Sequence, residues 1–131
     1  MSAGSFDITV EEGADFAMML DYKDSNDTTI DLSSGFSARI QIRESISGDL
    51  IAWGSSGSDT PSDDTGSLLK HATVTMGATV PNISIAITGA TTNNYTPTQF
   101  EGAVYQVELF DVASITRIME GHAYLSQRVL K

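Results

Sequence analysis

The chain contains no cysteine, so neither a disulfide framework nor a thiolate metal site holds it together. That is compatible with synthesis in a reducing cytosol. Basic residues are few: Lys and Arg number 7 against 17 Asp and Glu, a formal net charge of -10. Phosphate backbones demand a basic footprint, which speaks against a nucleic-acid partner. Anionic membrane surfaces are disfavoured for the same reason. No apolar run approaches the roughly 20 residues of a membrane span. The opening Met1-Ser2-Ala3-Gly4-Ser5 lacks a basic n-region and an apolar h-region. A secretory signal is therefore not expected, and the chain is expected to be used as translated. Histidine occurs only at His71 and His122, and no G-x-S-x-G, H-E-x-x-H or H-x-x-x-H pattern is present. A catalytic triad needs a nucleophile on a shaped turn, a base and an orienting acid. These absences argue against an enzyme, and no cofactor is expected.

What the sequence does contain is alternation. Tyr105, Val107 and Leu109 alternate with Gln106 and Glu108, the period-two pattern of a strand with one buried face. Asp111 to Ser114 turns the chain, and Thr116 to Leu125 reads as the returning strand of a hairpin. Phe36, Ala38, Ile40 and Ile42 alternate with Ser37, Arg39, Gln41 and Arg43. Phe6 to Val10, Ala14 to Tyr22, Leu50 to Trp53, Leu68 to Met76 and Asn82 to Ile87 supply further strands. Between them lie a turn at Glu11-Glu12-Gly13, a polar tip at Lys23 to Asp27, and two longer polar stretches, Gly54 to Ser67 and Thr88 to Gln99. The first of these is expected to project as a loop. A short helical turn is expected around Thr96 to Phe100. A hairpin cannot bury its own apolar face, so the upstream strands must form an opposing layer. The expectation is one all-β domain over residues 1–131, an antiparallel sandwich of seven or eight short strands.

Five groups of residues are candidates for function. Asp21, Asp24, Asn26 and Asp27 offer oxygen ligands, but their spacing lacks the glycine and distal glutamate of an EF-hand. Asp59, Asp63 and Asp64 form a second acidic group in a Gly- and Ser-rich setting that suggests mobility. No metal is expected at either. Trp53, Tyr22, Tyr95, Tyr105 and Tyr124 are aromatic residues of the kind that stack on sugars, although their scatter over several strands favours core packing. Met18 and Met19 are adjacent, so their side chains point to opposite faces of one strand. This makes Met19 a candidate partner contact. The tail Ser126 to Lys131 is basic where the rest is acidic and ends in apolar residues. Arg128, Val129, Leu130 and Lys131 therefore either dock on the chain's own sheet or reach a neighbour.

The order of the pieces resembles a known family. Val10-Glu11-Glu12-Gly13-Ala14-Asp15-Phe16 is followed by Asp24 to Asp27, Ile30-Asp31-Leu32 and Phe36 to Arg43. The chain closes with Tyr105 to Leu109 and Thr116 to Gly121. The succession is similar to the small immunoglobulin-like β-sandwich proteins of tailed bacteriophage virions, whose relatives include baseplate and tail-fibre connector domains. It departs at Asn26-Asp27, where the family often has glycine, and at Gln127-Arg128, where the family often has a Thr-Arg pair. The resemblance implies an immunoglobulin-like fold and a non-enzymatic virion structural protein. Such a protein would be present in symmetric copies, touching other virion proteins and copies of itself in the tail, neck or baseplate region. A capsid decoration protein and a carbohydrate-binding host-recognition module are the rival readings.

Overall fold

The structure, a computed structural model, describes residues 4–58, 60–67 and 70–129. In chain order the strands are β1 (Gly4–Ser5), β2 (Ile8–Glu11), β3 (Phe16–Leu20), β4 (Ser37–Arg43), β5 (Leu50–Ser55), β6 (Thr73–Met76), β7 (Ile83–Ile87), β8 (Val104–Phe110) and β9 (Ile115–Ser126). They form two sheets. One is ordered β1-β9-β8-β4-β5 with β2 also on β9, and the other is β3-β7-β6. Alternation translates directly into burial: Ala38, Ile40 and Ile42 of β4, Ile83, Ile85 and Ile87 of β7, and Tyr105, Val107 and Leu109 of β8 are all buried. They belong to a single core that draws on both sheets. Each such aliphatic side chain contributes on the order of 1.5–3 kcal/mol by leaving water. The protein is the all-β sandwich expected. Its three-stranded sheet and its β4-β8-β9 sheet, extended by β5, follow the strand order of an immunoglobulin-like sandwich.

Pairing departs from expectation at the N-terminus. β1 and β2 run parallel to β9, with Gly4 opposite Met119 and Ile8 opposite Ala123. A period-two pattern is the same for either direction, so the sequence did not distinguish them. The N-terminal segment also forms two strands where one was expected over Phe6 to Val10: β1 lies ahead of that stretch and β2 begins only at Ile8, with the split at Phe6–Asp7. There the Phe6 N–H donates to the Glu120 carbonyl at 2.9 Å, the Tyr105 hydroxyl donates to the Phe6 carbonyl, and the Asp7 carboxylate accepts from the His122 N–H at 2.9 Å. That split brings the strands among the described residues to nine. Burial, with the Asp7 carboxylate nearby, pushes the Tyr105 phenol up to about 12, so it remains a donor at neutral pH. The Phe6 carbonyl occupies the space where a Cβ of residue 121 would stand, which is why Gly121 lies in mid-strand.

The longer connections are more ordered than their composition suggests. Gly54 and Ser55 extend β5 and are not loop residues. A Cβ on Gly54 would stand 2.8 Å from the Ala72 carbonyl carbon, so glycine lets that backbone pass across the edge of β5. There the Ala72 N–H donates to the Trp53 carbonyl at 2.7 Å, and His71 forms a parallel bridge with Trp53. The expected strand from Leu68 is accordingly confined to Thr73–Met76, and Leu68 and Leu69 lie outside the described residues. The expected turn near Thr96 is a 3-10 helix over Pro97–Phe100. It is preceded by a one-turn helix, α1 (Gly89–Thr92), that alternation gave no reason to expect. Buried Thr92 ties α1 to the β2–β3 turn: its hydroxyl accepts from Gly13 N–H at 3.0 Å and donates to the Ala14 carbonyl at 2.8 Å. Gly13 has φ of 82°, as its place in a tight turn anticipates.

Candidate interaction surface

The outward side chains of β4 and β9 carry three of the described cations, Arg39, Arg43 and Arg117, and each meets a carboxylate of the same chain. Arg39 lies 2.7 Å from Glu108, Arg43 is 2.7 Å from Asp63, and Arg117 is 3.2 Å from Glu120. Arg39 also stands over the Phe110 ring at 5.0 Å. Gln41 and Gln106, opposite each other in the ladder, sit between these pairs and line a shallow cleft of about 310 Å³ with Thr60 and Pro61. The cleft exists because the 60–64 segment folds back over the sheet. Asp63 bonds the Arg43 guanidinium, and the Asp64 carboxylate accepts from the Trp53 indole at 2.9 Å. Two residues of the acidic group thus share hydrogen bonds with the sheet, Asp63 with Arg43 and Asp64 with Trp53. Asp59 lies outside the described residues.

The remaining sequence candidates resolve individually. Asp24 stabilises its own turn, accepting from Asn26 and Thr28 N–H groups at 2.9 and 3.0 Å. Asp27 takes a φ of 62° there. Among the described residues, no three His, Asp or Glu side chains gather as metal ligands. Trp53, Tyr95 and Tyr105 are buried, Tyr22 is half-buried, and Tyr124 is exposed, so the five aromatics form no shared platform. The Tyr95 hydroxyl is buried beside Phe100 with no hydrogen-bond partner among the described residues, and burial raises its pKa. His71 packs edge-on against Trp53 at 4.8 Å, and His122 lies 6.2 Å from Tyr124.

Met18 and Met19 separate as adjacency requires. Met18 packs against the core, whereas Met19 is 66% exposed. Met19 lines a groove of about 440 Å³ between β1–β2 and β3, together with Phe6, Ile8, Phe16, Met18 and Met119. Phe6 is 63% exposed. β3 pairs only with β7, and β2 pairs only with β9, so the groove lies between two strand edges that carry no neighbour among the described residues.

The tail docks on its own domain as far as Arg128. The Glu12 N–H donates to the Ser126 carbonyl at 2.9 Å, and the Arg128 N–H donates to the Glu12 carboxylate at 3.1 Å. The Arg128 side chain covers Gly13, where a Cβ would stand 2.7 Å from a guanidinium nitrogen. Val129 is almost fully exposed, and Leu130 and Lys131 lie outside the described residues. Sequence reasoning singled out Met19 but not Phe6 or Met119. Phe6 reads as an ordinary strand residue until the kink at Phe6–Asp7 turns it outward.

Neither the protein-family models nor the curated proteins contain a match to this chain.

Proposed function

We propose that this protein is a non-enzymatic structural protein that works through broad contacts with other proteins. The setting is a tailed bacteriophage virion, as a connector or adaptor in the tail, neck or baseplate region. The observation that carries the contact role is the groove between the β2 and β3 edges, where large apolar side chains stand exposed beside strand edges that no other described strand pairs with. Monomeric domains ordinarily protect such edges with charge, proline or a covering segment. The polar groups of the opposite face are paired with one another, which suits a rigid surface better than a reacting centre. The virion setting is supported by the ordered resemblance of the strand segments, together with an immunoglobulin-like strand order. Adaptor proteins of this kind need no cofactor, nucleic acid or membrane, only symmetric partners.

Quantitative mass spectrometry of gradient-purified particles from the phage that encodes the chain tests this reading. The expected result is a fixed copy number per particle, in a simple ratio to a tail or baseplate protein. A chain found only in the soluble lysate would remove the proposal, and a ratio matching the major capsid protein would transfer it to the capsid surface.

A further inference from the structure

We infer that the groove between β2 and β3 receives an extended segment of a partner protein, which adds a strand to the free edge of β3 and carries basic residues at its ends. The inference deepens the proposed contact role and rests on it only for the identity of the partner. Its first support is topological. In the constant-type immunoglobulin arrangement, the sheet holding the second strand is four-stranded, because the first strand pairs with it. Here β1 and β2 join β9 instead, and β3 is left as the edge of a three-stranded sheet. A strand added beside β3 would complete that sheet by main-chain hydrogen bonds, with alternate side chains entering the groove. Five residues, Phe16 to Leu20, offer an edge roughly 17 Å long, enough for one short strand.

The second support is the chemistry of the groove. Its lining is apolar at Phe6, Ile8, Phe16, Met18, Met19 and Met119, and among the described residues Asp7 alone brings a charge to it. Methionine tolerates varied apolar partners because its unbranched side chain repacks easily. Exposed Asp15 and Asp21 flank the two ends of β3. Among the described residues no Lys or Arg lines the groove, and Lys23 beyond Asp21 is turned to Asp27 at 3.6 Å. An incoming apolar strand with basic ends matches this pattern, whereas a second copy of the chain would bring another net charge of -10 to an acidic rim.

The test is an amide-resonance titration of the intact protein with a synthetic peptide of alternating valine and threonine flanked by lysine pairs. A second peptide has the same core flanked by glutamates. Expected are saturable shifts confined to β1–β3, with binding roughly tenfold weaker for the glutamate peptide. Met19→Lys is expected to keep the fold and weaken the lysine peptide by a similar roughly tenfold factor. Ala17→Lys, at an exposed position of the same strand, serves as a second variant should the first not fold. The absence of saturable shifts, shifts centred on β4 and β8, or equal binding of both peptides would each overturn the inference. So would a wild-type dimer in sedimentation velocity that Met19→Lys dissociates, since that assigns the groove to a second copy. If the chain is missing from particles but the lysine peptide binds at β3, the virion reading fails and the groove assignment stands. The reverse outcome removes the groove assignment alone.

Discussion

Replacing Gly121 by alanine adds one methyl group at the point where the N-terminal strand crosses β9. The new Cβ would overlap the Phe6 carbonyl oxygen, lie 2.7 Å from the Phe6 carbonyl carbon and 3.0 Å from the Asp7 carboxylate. Neither backbone neighbour is the free end of a flexible side chain. If the strand stays in place, the crowding costs about 1–3 kcal/mol, as for overpacked cores. If β1 and Phe6 are released instead, the Phe6–Glu120 hydrogen bond is lost and the Tyr105 hydroxyl gives up its acceptor. Each such loss costs about 1 kcal/mol, more where the group left behind is buried, and Tyr105 is only 1% exposed. The two routes overlap at about 2–3 kcal/mol. For a domain of this length that corresponds to a fall in melting temperature of roughly 10 °C. Calorimetry and urea titration measure it. Gly77→Ala is the control: beyond its own chain neighbours no described atom lies within 4 Å of where the Cβ would stand, and alanine there is expected to be neutral or to stabilise by about 0.4–1 kcal/mol. A Gly121→Ala protein as stable as Gly77→Ala would refute the crossing geometry assigned to Phe6.

Three further outcomes are expected. Asn82 is 1% exposed; its amide donates to the Tyr22 and Ile30 carbonyls at 2.8 and 2.9 Å and its carbonyl accepts from Tyr22 N–H at 2.7 Å. Asn82→Leu should therefore cost about 3 kcal/mol or more in urea unfolding, and a loss under about 1 kcal/mol would count against this role. The hydrogen bond from Arg43 holds the Asp63 carboxyl below its ordinary range. A depressed folded-state pKa stabilises above the unfolded value of about 3.9 and loses that contribution as pH falls through the folded value. Wild type should thus exceed Asp63→Asn in stability at neutral pH, with the gap closing below about pH 4; a gap independent of pH would contradict the pairing. Deleting residues 127–131 removes the Arg128 contacts at Glu12 and Gly13 but no buried side chain among the described residues. The melting temperature should fall by no more than a few degrees, and a collapse of the fold would show that the tail is part of the core.

Alternation alone was enough to identify the inner faces of β4, β7 and β8, because side chains on an extended backbone must point to opposite sides in turn. The same rule separated Met18 from Met19, and the need for a positive φ marked Gly13. These are local consequences of backbone geometry. Asn82 was not legible: a polar residue at the start of a strand reads as part of a turn until the backbone of residues 22–30 is laid beside it. Nor could composition show that Asp63 and Asp64 would be held by Arg43 and Trp53, since those contacts span the 43–63 and 53–64 separations through a fold-back of the chain. The parallel course of β1 and β2 was likewise decided by tertiary structure. A strand's pattern determines which face is apolar, but its partner and direction depend on which edges remain open once the other strands have packed. By joining β9, the N-terminal segment left one edge of β3 unpaired among the described residues, and with it the apolar groove that holds Met19.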